Sequence, residues 1–186
     1  MSLIKAIKKK LQDWLGISPG PTVDDMIAMG MTVGKNFFYD ASCRFDVSHC
    51  WLISIGNDVT FGPGVYLLAH DASTKKSLGY TKIGKVTVSD NVFIGADSII
   101  MPGVTIGRDC IIGARSVVTK DVPDGCVYAG SPAKMVCTTA AYMENQKKNL
   151  ERLPVFDKSY TLAGNIDEEK KRRMMEEMKD GKGFVV

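Results

Sequence analysis

Two histidines, His49 and His70, are the only side chains in the 186 residues whose ordinary pKa lies near neutrality. A step that removes a proton from a hydroxyl at neutral pH would draw on one of them. Carboxylates stand close by in sequence: Asp40 in FFYDAS, Asp46 in CRFDVS, and Asp71 directly after His70 in LLAHDAS. Five cysteines, Cys43, Cys50, Cys110, Cys126 and Cys137, are odd in number and unpatterned in spacing. They match neither a disulfide framework nor a paired CxxC metal site, and read as free thiols in a reducing cytoplasm. None has a sequence neighbour that would favour the thiolate, which argues against a covalent cysteine intermediate. A net charge of +3 makes no strong case for nucleic acid or for a membrane. No apolar run approaches a spanning helix, and lysines interrupt the N-terminus where a secretory signal would be continuously apolar.

The elements that must hold these groups show a period of six. From Val88 the chain reads VSDNVF, IGADSI, IMPGVT, IGRDCI, IGARSV and VTKDVP, led by Val88, Ile94, Ile100, Ile106, Ile112 and Val118. The fifth place holds Val92, Ser98, Val104, Cys110, Ser116 and Val122, all small or β-branched. A helix would repeat apolar residues at three and four, a strand at two. One short strand and one corner account for six. Three such sides close a triangular coil of 18 residues, setting Ile94 over Ile112 and Ile100 over Val118. Coils then lie roughly 4.8 Å apart, as bonded strands do. Gly95, Gly107 and Gly113 follow the lead residue, where a missing Cβ is expected to ease a tight corner.

The same register appears earlier as IGNDVT, FGPGVY and LLAHDA, led by Ile55, Phe61 and Leu67. Between Val33 and Ser54 two phases compete: Val33, Tyr39, Phe45 and Trp51, or Phe37, Cys43 and His49. Residues 72–84 are polar and out of phase, so they form a loop leaving the coil. Residues 3–15 place Leu3, Ile4, Ile7, Leu11, Trp14 and Leu15 on one helical face with Lys5, Lys8, Lys9 and Lys10 around it. Such a helix packs on its own domain, or lies as a peripheral contact on an anionic membrane surface. Thr22 or Asp24 caps a second helix through Met29. Residues 138–152 read as helix, and Asp167 to Lys179 as a charged helix with a solvated face. The boundaries are therefore a helical segment over 1–30, a repeat domain over 31–137 and a helical extension over 138–186.

The hexads, VTKDVP and the closing AGSPAK together resemble the hexapeptide-repeat acyltransferases, nearest the maltose and galactoside O-acetyltransferase group. The tail, PVFDKSYTLAG with the charged helix, looks like the branch linked to capsule, exopolysaccharide or lipopolysaccharide biosynthesis. The resemblance is strong over about residues 30–137 and weak elsewhere. It implies an all-β fold, a left-handed parallel β-helix with N- and C-terminal helical extensions. It also implies a homotrimer with active sites between neighbouring subunits, acetyl-CoA as co-substrate and no metal. The expected reaction moves an acetyl group directly to a hydroxyl of a sugar or polysaccharide precursor, with no nucleic-acid partner.

His70 falls where this family keeps its catalytic histidine, after the GPGVYLL-type strand and before the excursion, so it is the expected general base. Asp40 and Asp46 fall where related enzymes hold acceptor-binding polar residues; they bind substrate hydroxyls or terminate corners. Asp71 is a third acceptor-side carboxylate, but a weak orienting partner for His70, because neighbours in an extended segment point opposite ways. Positions matching the coenzyme groove are Ala96, Gly113, Ala114, Thr119 and Lys120, with Lys134 toward the phosphates and Gly130 permitting close approach. Arg115, where relatives often carry glycine, touches a phosphate or the trimer contact. His49 is structural or at the rim. The fold also supports a zinc carbonic anhydrase, whose three histidine ligands this chain cannot supply. N-acetylation of an amino sugar and a non-catalytic scaffold are the remaining alternatives.

Overall fold

A computed structural model describes residues 20–179 and 181–186, so the helix expected over 3–15 lies outside the described residues. These residues divide into two compact units, one ending at Val136 and one starting at Cys137.

The first unit is a three-sided coil whose faces are three sheets. The first face runs through Thr32–Val33, Ile53–Ile55, Val86–Val88 and Thr105–Ile106. The second runs through Phe38–Tyr39, Thr60–Phe61, Phe93–Ile94, Ile111–Ile112, Cys126–Gly130 and Ala133–Thr138. The third contains Arg44–Phe45, Tyr66–Leu67, Ile99–Ile100 and Val117–Val118. Successive coils pair in parallel, with Ile94 on Ile112 and Ile100 on Val118, as the hexads require. The lead residues from Ile55 to Val118 fill the interior and are at most 3% exposed. Two polar fifth-place residues share that interior at no cost in unmet hydrogen bonds. Ser98 and Ser116 donate to the Gly113 carbonyl at 3.0 and 2.6 Å, and the Ser116 hydroxyl accepts the Gly130 N–H at 3.1 Å.

Where glycine follows a lead residue, as after Ile94, the reason differs from the one the sequence suggested. A Cβ on Gly95 would stand 2.5 Å from the backbone nitrogen of Ala114 in the next coil. Glycine is there because two backbones touch, while the left-handed corner falls two residues later. That corner is held by Asn36, Asp58, Asn91, Asp97 and Asp109, all with φ of 55–57°. Asparagine and aspartate tolerate this region best among residues with a Cβ. Arg115 sits there too, at φ 57°.

Two insertions interrupt the coil, and both leave the same corner, after the third face. The step from Phe45 to Ile55 takes ten residues instead of six, adding a 3-10 segment over Val47–Leu52. The first of the two competing phases therefore holds for Val33, Tyr39 and Phe45 and fails at Trp51, which is 55% exposed. The step from Leu67 to Val88 takes twenty-one residues. Its excursion is a small hairpin: His70–Asp71 pairs antiparallel with Lys82–Ile83, with helix Lys75–Leu78 between them. Because Phe45 stacks on Leu67, the two insertions start one directly against the other. A helix over Val23–Ala28, closed by a Thr22–Asp25 capping box, precedes the first coil as expected.

In the second unit, helix Thr139–Arg152 is capped by Thr138, and Val155–Phe156 pairs in parallel with Phe184–Val185. Helix Glu168–Glu177 uses its charge on itself, through Lys171–Glu168 and Arg173–Glu177 pairs at 2.6 Å. Among the described residues no helix is long and apolar enough to cross a membrane.

Two substitutions on successive coils, two positions apart within the repeat, should move stability in opposite directions. Gly95→Ala forces a Cβ into the Ala114 backbone and is expected to cost at least about 2 kcal/mol. Arg115→Asn relieves left-handed strain and is expected to gain about 0.5–1 kcal/mol. Urea unfolding of both variants reads the two shifts directly.

Candidate active site

Asp46 is the first residue of one insertion and His70 opens the other, so coil stacking brings them together across 24 positions of sequence. Asp46 is 3% exposed, and both of its oxygens accept hydrogen bonds. Oδ2 lies 2.5 Å from His70 Nδ1 and accepts the Ala69 N–H at 2.9 Å, while Oδ1 accepts the Ser48 N–H at 3.1 Å. A carboxylate only accepts, so Nδ1 of His70 carries the hydrogen and Nε2 keeps the lone pair. The His70 side chain remains 32% exposed, enough for a reactant to approach. The arrangement can therefore take a proton on Nε2 and stabilise the resulting imidazolium through Asp46.

Asp46, expected on the acceptor side, is buried against the His70 ring with three N–H donors on its two oxygens, an arrangement that can position that ring. The clue was present in sequence only as Phe45 and Leu67 sharing a face, and a four-residue insertion hid it. Asp40 is exposed and accepts the Ser42 N–H at 2.8 Å and the Ser42 hydroxyl at 2.5 Å, which makes it the terminator of its own corner. Asp71 turns away from His70 and pairs with Lys82 at 2.6 Å. That contact, followed by the Ser73 N–H, pulls its pKa down to about 2.

His49 lies closer to the centre than a rim residue would. It interrupts the 3-10 segment with φ −139° and ψ 37°, and its ring centroid is 5.3 Å from His70 and 5.4 Å from Trp51. Its Nδ1 is buried and has no hydrogen-bond partner.

A cleft of about 450 Å³ runs from the hairpin edge along the coil, lined by Asp71, Lys82, Ile83, Met101, Pro102 and Thr119. Thr119 and exposed Lys120 follow the third face, at the corner from which His70 departs. Ala96, Gly113 and Ala114 follow the second face, so one chain does not set them beside Thr119. Lys134 is exposed on the final strand of the second face. Burial pushes the Cys110 and Cys43 thiols up, so neither is a ready thiolate.

A three-sided coil of hexads is a transferase scaffold, and comparison with known proteins agrees on that class. The profile of the family described as bacterial transferase hexapeptide (six repeats) matches residues 85–120. Protein CapG of Staphylococcus aureus is 40% identical over 152 residues, 79% of this chain and 84% of that one. The crystal structure of a maltose O-acetyltransferase from Clostridium difficile 630 is 32% identical, with TM-score 0.53 over 70% of this chain and 83% of that one. A hexapeptide-repeat acetyltransferase of Vibrio cholerae, solved with acetyl-coenzyme A, is 27% identical, with TM-score 0.53 over 59% and 60% of the two chains. The chain spans about half the length of several other curated relatives that it matches. The chain belongs to the hexapeptide-repeat acetyltransferases.

The Asp71–Lys82 pair fixes the hairpin that carries His70, and its pH response has a definite sign. A folded-state pKa lowered from 3.8 to about 2 gives stabilisation that is complete above 3.8 and lost as pH falls toward 2. NMR titration of the Asp71 carboxyl carbon should show a midpoint near the lower value. Lys82→Met should raise it, with the Ser73 N–H still holding it below the ordinary aspartate range.

Proposed function

We propose that this protein transfers the acetyl group of acetyl-CoA to a hydroxyl of a sugar or polysaccharide precursor. His70 is the general base and transfer is direct, within a homotrimer of left-handed β-helices. The observation that carries the reading is the Asp46–His70 contact, which leaves Nε2 with its lone pair on a part-exposed ring, one residue from Asp71 in the cleft wall. Nε2 takes the acceptor's hydroxyl proton as its oxygen bonds to the thioester carbonyl carbon. The carbon–sulfur bond then breaks, and the imidazolium returns the proton to the departing thiolate. A base of this kind is worth roughly 10² to 10⁴ in rate.

Acetyl-CoA as donor is supported by the solved relative that holds it, and a sugar hydroxyl by the maltose O-acetyltransferase. Two features favour the trimer. The outward residues of the first face are Thr32, Ser54, Thr87 and Thr105, whereas the second face presents Phe38 at 67% and Phe93 at 46% exposure. Water-exposed phenylalanines aligned on one face suit a covered surface. The coenzyme positions also divide between two corners, and a neighbouring copy can bring one chain's Ala96 and Ala114 against another's Thr119. Free cysteines among the described residues support a cytoplasmic location.

Thiol release from acetyl-CoA, measured against free, nucleotide-linked and lipid-linked sugars, tests the reading. With the best acceptor, His70→Ala should lose about 10²-fold or more in kcat. Asp46→Asn should lose a comparable factor because its amide can favour the wrong tautomer, with KM for acetyl-CoA little changed. Unaltered turnover in His70→Ala would discard the mechanism. Phe93→Asp should shift the protein from trimer to monomer on sizing by light scattering.

A further inference from the structure

We propose that Asp46, His49 and His70 also form a binding site for a zinc-class divalent ion, and that occupancy withdraws His70 from proton transfer. Only the inhibitory half of this proposal rests on His70 being the base. One donor atom from each residue lies within 4.8 Å of the other two. Two imidazoles and one carboxylate are a donor set that zinc accepts, with water completing the fourth position.

The independent observation is His49. Its Nδ1 is buried without a hydrogen-bond partner, and it is the one buried side-chain nitrogen or oxygen among the described residues in that condition. Such groups are uncommon in folded proteins and point to an unseen ligand or a chemical role. Acetyl transfer as derived above makes no use of His49. A metal ion would use its lone pair and leave the second ring nitrogen as a donor. Partial exposure of His49 and His70 gives the ion an entry path, while Asp46 Oδ1 stays held by Ser48 as an outer support.

The distances explain why binding and catalysis exclude each other. Tetrahedral donors about 2.0–2.1 Å from zinc stand about 3.4 Å apart. Here the widest separation is up to 4.8 Å, and the Asp46–His70 contact is 2.5 Å. Coordination through His70 Nδ1 would part it from Asp46 Oδ2 and end the hydrogen bond that presents Nε2, and coordination through Nε2 would take up the lone pair itself. Either way His70 no longer accepts a proton.

Cobalt(II) titration of the chelator-treated full chain tests the site, with visible absorption reporting four-coordinate nitrogen and oxygen donors. A near-ultraviolet thiolate band would instead report capture by the cysteines and would overturn the assignment. The expected result is one equivalent bound per chain without that band. His49→Phe, which keeps the ring's volume, and His49→Gln should each weaken binding by about 10²-fold or more. Zinc should inhibit acetyl transfer by the parent protein and not by His49→Phe, each measured against its own metal-free rate. Labelled acetyl product is the readout, because zinc binds the thiol of released CoA. Absence of stoichiometric cobalt, or equal affinity in parent and His49 variants, would sink the proposal. The cobalt arm needs no acceptor, so it stands or falls separately from the transferase reading.

Discussion

Every coil of the first unit must lie one strand spacing from the next, with backbones in contact at the corners. The Gly95 N–H reaches the Ile112 carbonyl at 2.8 Å, and the Gly113 N–H reaches the Tyr128 carbonyl at 2.8 Å. These bonds recur coil after coil and give each inward aliphatic a fixed neighbour above and below. Burying a side chain such as Ile94 or Ile112 contributes roughly 1.5–3 kcal/mol, and the ladder guarantees that each is buried fully. The cost is intolerance between corners. An extra residue within a side would shift every inward residue outward, so added chain can enter only where the coil turns.

That restriction builds the site. Insertions confined to corners, on coils that stack in register, must meet when they leave the same corner. Asp46 and His70 are such a meeting. The Asp46 carboxylate serves as a corner acceptor for Ser48 and as the partner of His70 at once, so fold and chemistry share one buried group. The Ala69 N–H that binds the same oxygen comes from the coil that carries His70. The histidine is therefore held by a strand on one side and a carboxylate on the other. Such support on a rigid scaffold is what a proton-transferring group needs.

The legible and illegible parts of the sequence follow the same division. From Val88 on, six-residue spacing is uninterrupted, so the stacking of Ile94 on Ile112 could be read directly. Ahead of it, four added residues after Phe45 break the phase, and no local pattern distinguishes an insertion of four from a change of register. The reading that reached Trp51 failed there. Asp46 was recognisable as a polar residue near the site, but its role depends on a contact made across both insertions. His70 was found through the family's motif, since its spacing carries no periodic signal. His49 was discounted because its importance lies in an unpaired nitrogen, which only packing reveals.

The two insertions differ in what they leave free. The hairpin is braced: Asp71 binds Lys82, and Ile83 pairs with His70 before the chain re-enters the ladder at Val86. The shorter insertion is less completely satisfied, with a non-helical residue at His49, an unpaired Nδ1 and an exposed Trp51 beside it. A braced element fixes position, whereas unmet hydrogen-bonding capacity and exposed aromatic surface invite a ligand. The hairpin thus sets where His70 stands. The segment Val47–Leu52 carries the hydrogen-bonding capacity that the coil and the hairpin leave unmet.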